Sequence, residues 1–397
     1  MARLRAARED DVAWRDGRIQ GFVYFAGEDV RDVAADAMRE YYFENILAGK
    51  AFPSMVRLEQ EVLAIAAQLL HAPAATGVTT TGGTESNLLA VWTAICRARA
   101  RGVAEPFELV VPYSAHPSFT KAARYFGLGE MRIRSKADYS ADTAEMRRTI
   151  NRRTILIVGS APAYSHGVVD AIGELGAIAL DHDLPLHVDS CVGGFVLPFV
   201  ERLGRPVPAF DFRVPGVTSV SADVHKHGYA PRALSVLLHR EEEARRLGST
   251  HFDGWPNGHY FTHGITGTRS GAVLAGAWAV LNYLGEAGFL RITREVMAIA
   301  DRFKQGIAAI PDLFIVGDPV ANKFAYAART LDVAAIAEGL DRRGWFAGLQ
   351  ADPPAINMQA QTHHGPIVDR YLADLSEVAD DVRRGLVTSQ GRSAAYN

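Results

Sequence analysis

Apolar positions first recur along this chain at helical spacing and then gather into short runs. The stretches Val30–Leu47 and Met55–Leu70 have the helical period, the second through Val56, Leu63, Ile65, Ala66, Leu69 and Leu70. Further on, Glu108–Pro112, Thr154–Gly159, Leu184–Asp189, Thr218–Ala222 and Leu234–His239 read as buried strands. Residues 85–101, 116–126 and 170–182 read as helices between them. Strands alternating with helices predict an α/β fold, with a mainly parallel central sheet covered by helices on both faces.

The pattern changes after about residue 270. Gly271–Leu284 predicts an apolar helix and Phe289–Ile310 an amphipathic one. Lys323–Ala327 and Ile356–Ala360 then read as strands, and Val333–Arg343 and Pro366–Arg384 as helices. The expected organisation is an N-terminal arm and helix over 1–60, a large domain over 61–285 and a small C-terminal α+β domain over 286–397. The tail from Val387 is polar and expected to be loose. No internal repeat or low-complexity segment interrupts this plan.

Composition narrows the function classes. At 397 residues and 48% hydrophobic, the chain can bury a large core. Its net charge of −3 argues against bulk nucleic-acid binding, which calls for a strongly basic domain. Two cysteines, Cys96 and Cys191, make neither a disulfide framework nor a zinc pattern, and so favour a reducing compartment. The charged N-terminus lacks a signal-peptide core, and no run of about 18 apolar residues is seen. The expected location is therefore the cytoplasm, away from membranes.

Three segments carry candidate chemistry. In Thr80-Thr81-Gly82-Gly83-Thr84-Glu85-Ser86-Asn87 a glycine pair and hydroxyl residues open an apolar helix. Backbone N–H groups at such a terminus can hold a phosphate, although a plain helix cap would also account for the pattern. In Leu186-His187-Val188-Asp189-Ser190-Cys191 an acid ends a buried strand, where doubly wound sheets bind ligands. Asp189 there could keep a pyridine nitrogen protonated, or it could simply cap the next helix. In Ala222-Asp223-Val224-His225-Lys226-His227 a lysine closes an apolar strand, a poor place for a solvated amine and a suitable one for a Schiff base. Lysine anchor, acid and phosphate turn together are the parts a pyridoxal-phosphate site needs.

The segments TTTGGTESNLLA, AHPSFTKAARYFG, GSAPAYSHGVVDAIGELG, LPLHVDSCVGGFVLPF, DFRVPGVTSVSADVHKHGYAP and GTRSG resemble the sphingosine-1-phosphate lyase branch of the group II pyridoxal-phosphate decarboxylases. The resemblance runs from about residue 15 to 385 and is most specific between 80 and 270. It implies a fold type I architecture and a homodimer whose active sites lie at the subunit interface. It makes Lys226 the Schiff-base lysine, pairs Asp189 with the ring nitrogen and stacks His116 on the ring. Gly83, Thr84 and His225 would hold the phosphate, with Thr268 reaching it from the other subunit. Tyr164 and, across the interface, Tyr24 match tyrosines near the substrate. Cys191 matches a cysteine beside the cofactor and is expected to pack rather than react.

Two positions depart from the family pattern. Ala48 stands where the family has a substrate-facing histidine, and Arg232 where it has a lysine six residues after the Schiff-base lysine. Loss of the histidine removes a proton carrier, while Arg232 keeps a positive charge with fork-like geometry. The resemblance thus implies a complete cofactor site with an altered substrate end. The implied reaction is retro-aldol cleavage of an amino alcohol or β-hydroxy amino substrate to an aldehyde and an amine. Amino-acid decarboxylation and an aldol-type biosynthetic step are the alternatives on the same cofactor.

Overall fold

A computed structural model describes residues 2–391 and 393–394. It divides into two compact units. The larger spans Ala26–Tyr164 and Val168–Thr293; the smaller takes the residues up to Phe25, Ser165–Gly167 and those from Arg294 on. The N-terminal arm therefore belongs with the C-terminal unit, which differs from the three consecutive blocks expected. The link is hydrogen bonding: Phe346 and Gln359 donate their backbone N–H groups to the carbonyls of Arg18 and Gln20.

The larger unit holds a seven-stranded sheet: β1 (Thr76–Thr80), β2 (Glu108–Pro112), β3 (Gly129–Ile133), β4 (Thr154–Ser160), β5 (Leu186–Asp189), β6 (Val217–Ala222) and β7 (Ser235–His239). Their order is β1-β7-β6-β5-β4-β2-β3, parallel except for β7, which runs against β1 and β6. Strands β2, β4, β5 and β7 are buried throughout, as near-continuous apolar runs covered on both faces should be. Leu88, Val91 and Ile95 of the helix Gly83–Ala100 pack with Leu109, Val111, Phe119 and Val158 in one cluster. Strands β1 and β3 escape the periodicity because they are sheet edges. β1 is rich in threonine, and β3 alternates exposed and covered positions.

Two more departures have local causes. The first predicted helix covers Glu28–Glu40 and stops there, instead of continuing to Leu47. Beyond it the Asn45 side chain accepts the Ala48 N–H, an asparagine turn that competes with helix, and Asn45 bridges to Ser270. The helices expected over 271–284 and 289–310 form one stretch, Gly271–Ala309, broken at Gly285, where φ is +49°. By length and composition this stretch is apolar enough to cross a membrane, which corrects the expectation that no such run exists. Its residues Leu274, Val280, Leu281 and Leu284 are buried. A short hairpin, β8 (Thr250–Phe252) with β9 (Tyr260–Thr262), precedes it.

The smaller unit contains an antiparallel sheet ordered β10 (Leu313–Ile315), β11 (Lys323–Ala328), β13 (Pro354–Gln359), β12 (Gly348–Ala351). Helices Val333–Arg342 and Val368–Arg383 enclose a core that includes Phe303, Tyr326, Leu340, Trp345 and Tyr371. The tail expected to be loose from Val387 lies partly outside the described residues. Within them, Ser389 and Gln390 are held by the Glu338 carboxylate.

Candidate active site

Strands β1, β2, β4, β5 and β6 run in one direction, and their carboxyl ends carry every candidate of the larger unit up to Lys226. Ser160, Asp189 and Ser221 lie side by side across the last rungs of β4, β5 and β6.

Lys226 follows β6 in a tight turn: its backbone N–H bonds the Asp223 carbonyl and its carbonyl accepts from Tyr229. The lysine Nζ is 2.9 Å from Asp223 Oδ2, with the side chains 20% and 2% exposed. An amine this covered, held by a carboxylate, is placed for chemistry rather than for solvation. Asp223 Oδ1 is buried without a hydrogen-bond partner among the described residues.

After β1 the chain enters the helix Gly83–Ala100 through Gly82, at φ +144°. A Cβ on Gly83 would lie 2.5 Å from Cys191 Sγ and 2.9 Å from Asp223 Oδ1, and one on Gly82 would lie 3.7 Å from the His225 ring. The glycine pair thus lets the helix terminus approach the Lys226 turn closely, and the first N–H groups of a helix have no partner within it. His225 Nδ1 lies 2.7 Å from the Leu234 carbonyl and 3.2 Å from the Leu234 backbone nitrogen, so the Leu234 peptide groups hold the ring in place. Burial, with further effects from its neighbours, holds His225 below the usual imidazole range. Thr84 sits one residue after Gly83 on the same terminus.

Asp189, 7% exposed, accepts from Asn87 Nδ2 at 2.8 Å and from the Cys191 N–H at 3.1 Å. Burial pushes its carboxyl up, but the nearby His116 and the Cys191 bond outweigh this, so its pKa falls below the usual carboxylate value. It stays ionised. His116 follows β2; burial, reinforced by the Lys226 and Arg132 cations, lowers its pKa against the pull of Asp189, which favours a neutral ring. Burial, with the Asp189 and Asp223 charges, drives the Cys191 thiol well up, so it is a protonated packing group.

The remaining candidates are more dispersed. Tyr164 is half-buried in the loop after β4. Arg232 is exposed and lies close enough to His225 to depress its titration. Thr268 is exposed on a loop whose neighbours are clamped: Glu85 accepts from the Ile265 and Thr266 N–H groups, and Glu59 pairs with Arg269. Tyr24 lies in the smaller unit, donating to Gln359 Oε1 at 3.0 Å.

Sequence reasoning passed over Asp223, Glu85 and Asn87. Asp223 carried a usable signal, an acid three residues before the lysine. The other two look like ordinary first-turn helix residues, and only the fold shows what they hold.

The parts fit pyridoxal phosphate. A glycine-lined helix terminus can take its phosphate, an ionised buried acid its ring nitrogen, and a covered amine its aldehyde. A doubly wound sheet with these groups at its strand ends defines a pyridoxal-phosphate enzyme. Comparison with known proteins agrees: the pyridoxal-dependent decarboxylase conserved domain matches residues 13–328. The chain belongs to the pyridoxal-dependent decarboxylase family, and pyridoxal phosphate is its cofactor. A sphingosine-1-phosphate lyase of Arabidopsis thaliana is 37% identical over 96% of this chain and 72% of its own. A solved structure of the Burkholderia pseudomallei sphingosine-1-phosphate lyase superposes with a TM-score of 0.93 at 36% identity, covering 97% of this chain and 90% of that one. A probable L-tyrosine/L-aspartate decarboxylase of Methanocella arvoryzae is 34% identical over 95% of this chain and 97% of its own.

Proposed function

We propose that the protein is a carbon–carbon lyase that opens the Cα–Cβ bond of a small amine bearing a β-hydroxyl, releasing an aldehyde and an amine. The observation that carries this reading is the likeness to a sphingosine-1-phosphate lyase over 97% of the chain. When bound, pyridoxal phosphate supplies an aldehyde for the amine and a ring that accepts electrons from the breaking bond.

In this reading Gly83, Thr84 and His225 hold the phosphate, with Thr268 of the partner subunit. Lys226 is the covalent anchor, and Asp223 holds its amine in place. The ionised Asp189 keeps the ring nitrogen protonated, and the neutral His116 lies against the ring face. The Tyr164 hydroxyl takes up or returns the substrate proton. Arg232 and, from the partner subunit, Tyr24 serve the substrate end, where Ala48 leaves out a histidine. The exposed Tyr42, Phe43, Phe252 and Trp255 support a homodimer, since apolar side chains this open call for a cover. The location proposed is the cytoplasm.

Decarboxylation is the second reading. It is favoured by the Methanocella relative, which this chain matches over nearly its whole length. The test offers the purified protein phosphorylated amino alcohols, β-hydroxy amino acids, and tyrosine or aspartate. Aldehyde release from either of the first two groups is expected. Carbon dioxide from the amino acids, with no aldehyde from any substrate, would replace the lyase reading by the decarboxylase one.

A further inference from the structure

Asn87 lies one helical turn beyond Gly83 and is 1% exposed. Its amide makes four hydrogen bonds, the full capacity of the group. Nδ2 donates to Asp189 Oδ2 at 2.8 Å and to Ser118 Oγ at 2.9 Å. Oδ1 accepts from Ser221 Oγ at 2.9 Å and from His187 Nε2 at 3.1 Å. All four partners are buried.

The proton positions follow. An ionised carboxylate only accepts, so the amide nitrogen must face Asp189 and the amide oxygen must face away. His187 then carries its proton on Nε2, and its Nδ1 accepts from Ser219 Oγ at 2.9 Å. Burial lowers the His187 pKa to about 4, so it stays neutral and adds no competing charge. Ser118 Oγ accepts from Asn87 and turns its own hydrogen to His116 Nδ1 at 3.0 Å, which also receives the Ser118 N–H at 3.2 Å. His116 therefore bears its proton on Nε2. One amide thus joins the acid beneath the candidate cofactor site to the histidine that follows β2.

We infer that Asn87 is a positioning residue: it fixes the Asp189 carboxylate toward the cofactor's ring nitrogen and, through Ser118, sets His116 with it as one unit. This rests on the pyridoxal-phosphate reading above. The helix Gly83–Ala100 then serves both ends of the cofactor, its terminus the phosphate and Asn87 the ring.

The test compares binding of pyridoxal phosphate and its 1-deaza analogue, which lacks the ring nitrogen, to the apoprotein. Wild type should prefer the natural cofactor. Asn87→Ser should erode that preference by about tenfold or more, the scale for losing a hydrogen bond to a charged group. If Asn87→Ser fails to fold, Asn87→Asp keeps the shape while exchanging donor for acceptor, and should erode it further. In the holoenzyme Asn87→Ser should lower kcat with KM little changed, and in an Asp189→Asn background it should cost less than about twofold. A wild-type preference ratio retained in the variant, or equal losses in both backgrounds, would overturn the inference. Wild-type apoprotein that takes up no pyridoxal phosphate at Lys226 would overturn the cofactor reading and the inference with it.

Discussion

Adding one methyl group at Gly83 sets two effects against each other. Gly83 opens its helix without a positive φ, so alanine meets no backbone strain and should gain up to about 1 kcal/mol of helix propensity. Against this, the new Cβ would lie 2.5 Å from Cys191 Sγ and 2.9 Å and 3.1 Å from the two Asp223 carboxylate oxygens. Contacts below 3 Å force movement, and overpacking of a tight interior costs about 1–3 kcal/mol. Overpacking wins, leaving the variant less stable by roughly 1–2 kcal/mol. At about 2–4 °C per kcal/mol for domains of 150–250 residues, the apoprotein midpoint should fall by roughly 2–8 °C. Asp223 also pairs with Lys226 at 2.9 Å, so cofactor uptake should weaken together with stability. Differential scanning calorimetry and a cofactor titration read the two effects, with Gly173→Ala as control because nothing lies within 4 Å of its added carbon. The Gly83→Ala penalty should shrink when Cys191→Ala removes the nearest atom. A Gly83→Ala protein that melts and binds cofactor like wild type would refute the close-approach argument.

Further expectations concern the same site and its surroundings. Borohydride reduction should fix the cofactor to Lys226, as read by peptide mass. Lys226→Ala should lose the adduct, and an adduct on another lysine would count against the assignment. Asp189→Ala should retain some cofactor but lower turnover by about 100-fold or more, since the charge facing the ring is lost; near-normal rates would remove its role. Acidification should destabilise the fold. Burial depresses His187 to about 4 and His239 to about 3, so between the ordinary 6.5 and those values the unfolded chain binds protons the native state refuses. Asp170, raised by burial to about 6, acts in the opposite direction but alone against the pair. Urea unfolding at pH 7.5 and 5.5 should show lower stability at the acidic value; equal or higher stability there would contradict the burial of these imidazoles.

The interior of the sheet was legible in the sequence. Strands β2, β4, β5, β6 and β7 announce themselves because burial on both faces favours short runs rich in apolar residues, even where Ser219 and Ser221 interrupt β6. The edge strands β1 and β3 do not, because one side of each has no strand to pair with and their residues need not be apolar. Lys226, Asp189 and the Gly82-Gly83 turn were readable as local motifs, since each sits where a strand ends. Asn87 was not, because its partners Ser118, Asp189 and Ser221 lie 31, 102 and 134 residues away. A polar residue one turn into a helix carries no local mark of such bonds. The arm before Phe25 was misplaced for the same reason: hydrogen bonds to residues 346 and 359 leave no trace in periodicity.

The place of β1 bears on how the molecule is made. At the sheet edge it pairs with β7, whose residues leave the ribosome more than 150 positions later. The glycine turn that β1 delivers therefore has no seat until those later residues have been synthesised. Such distant pairing slows folding and leaves an early segment waiting. Nascent chains halted before Ser235 should thus be unable to capture the cofactor, although Lys226 has already been added.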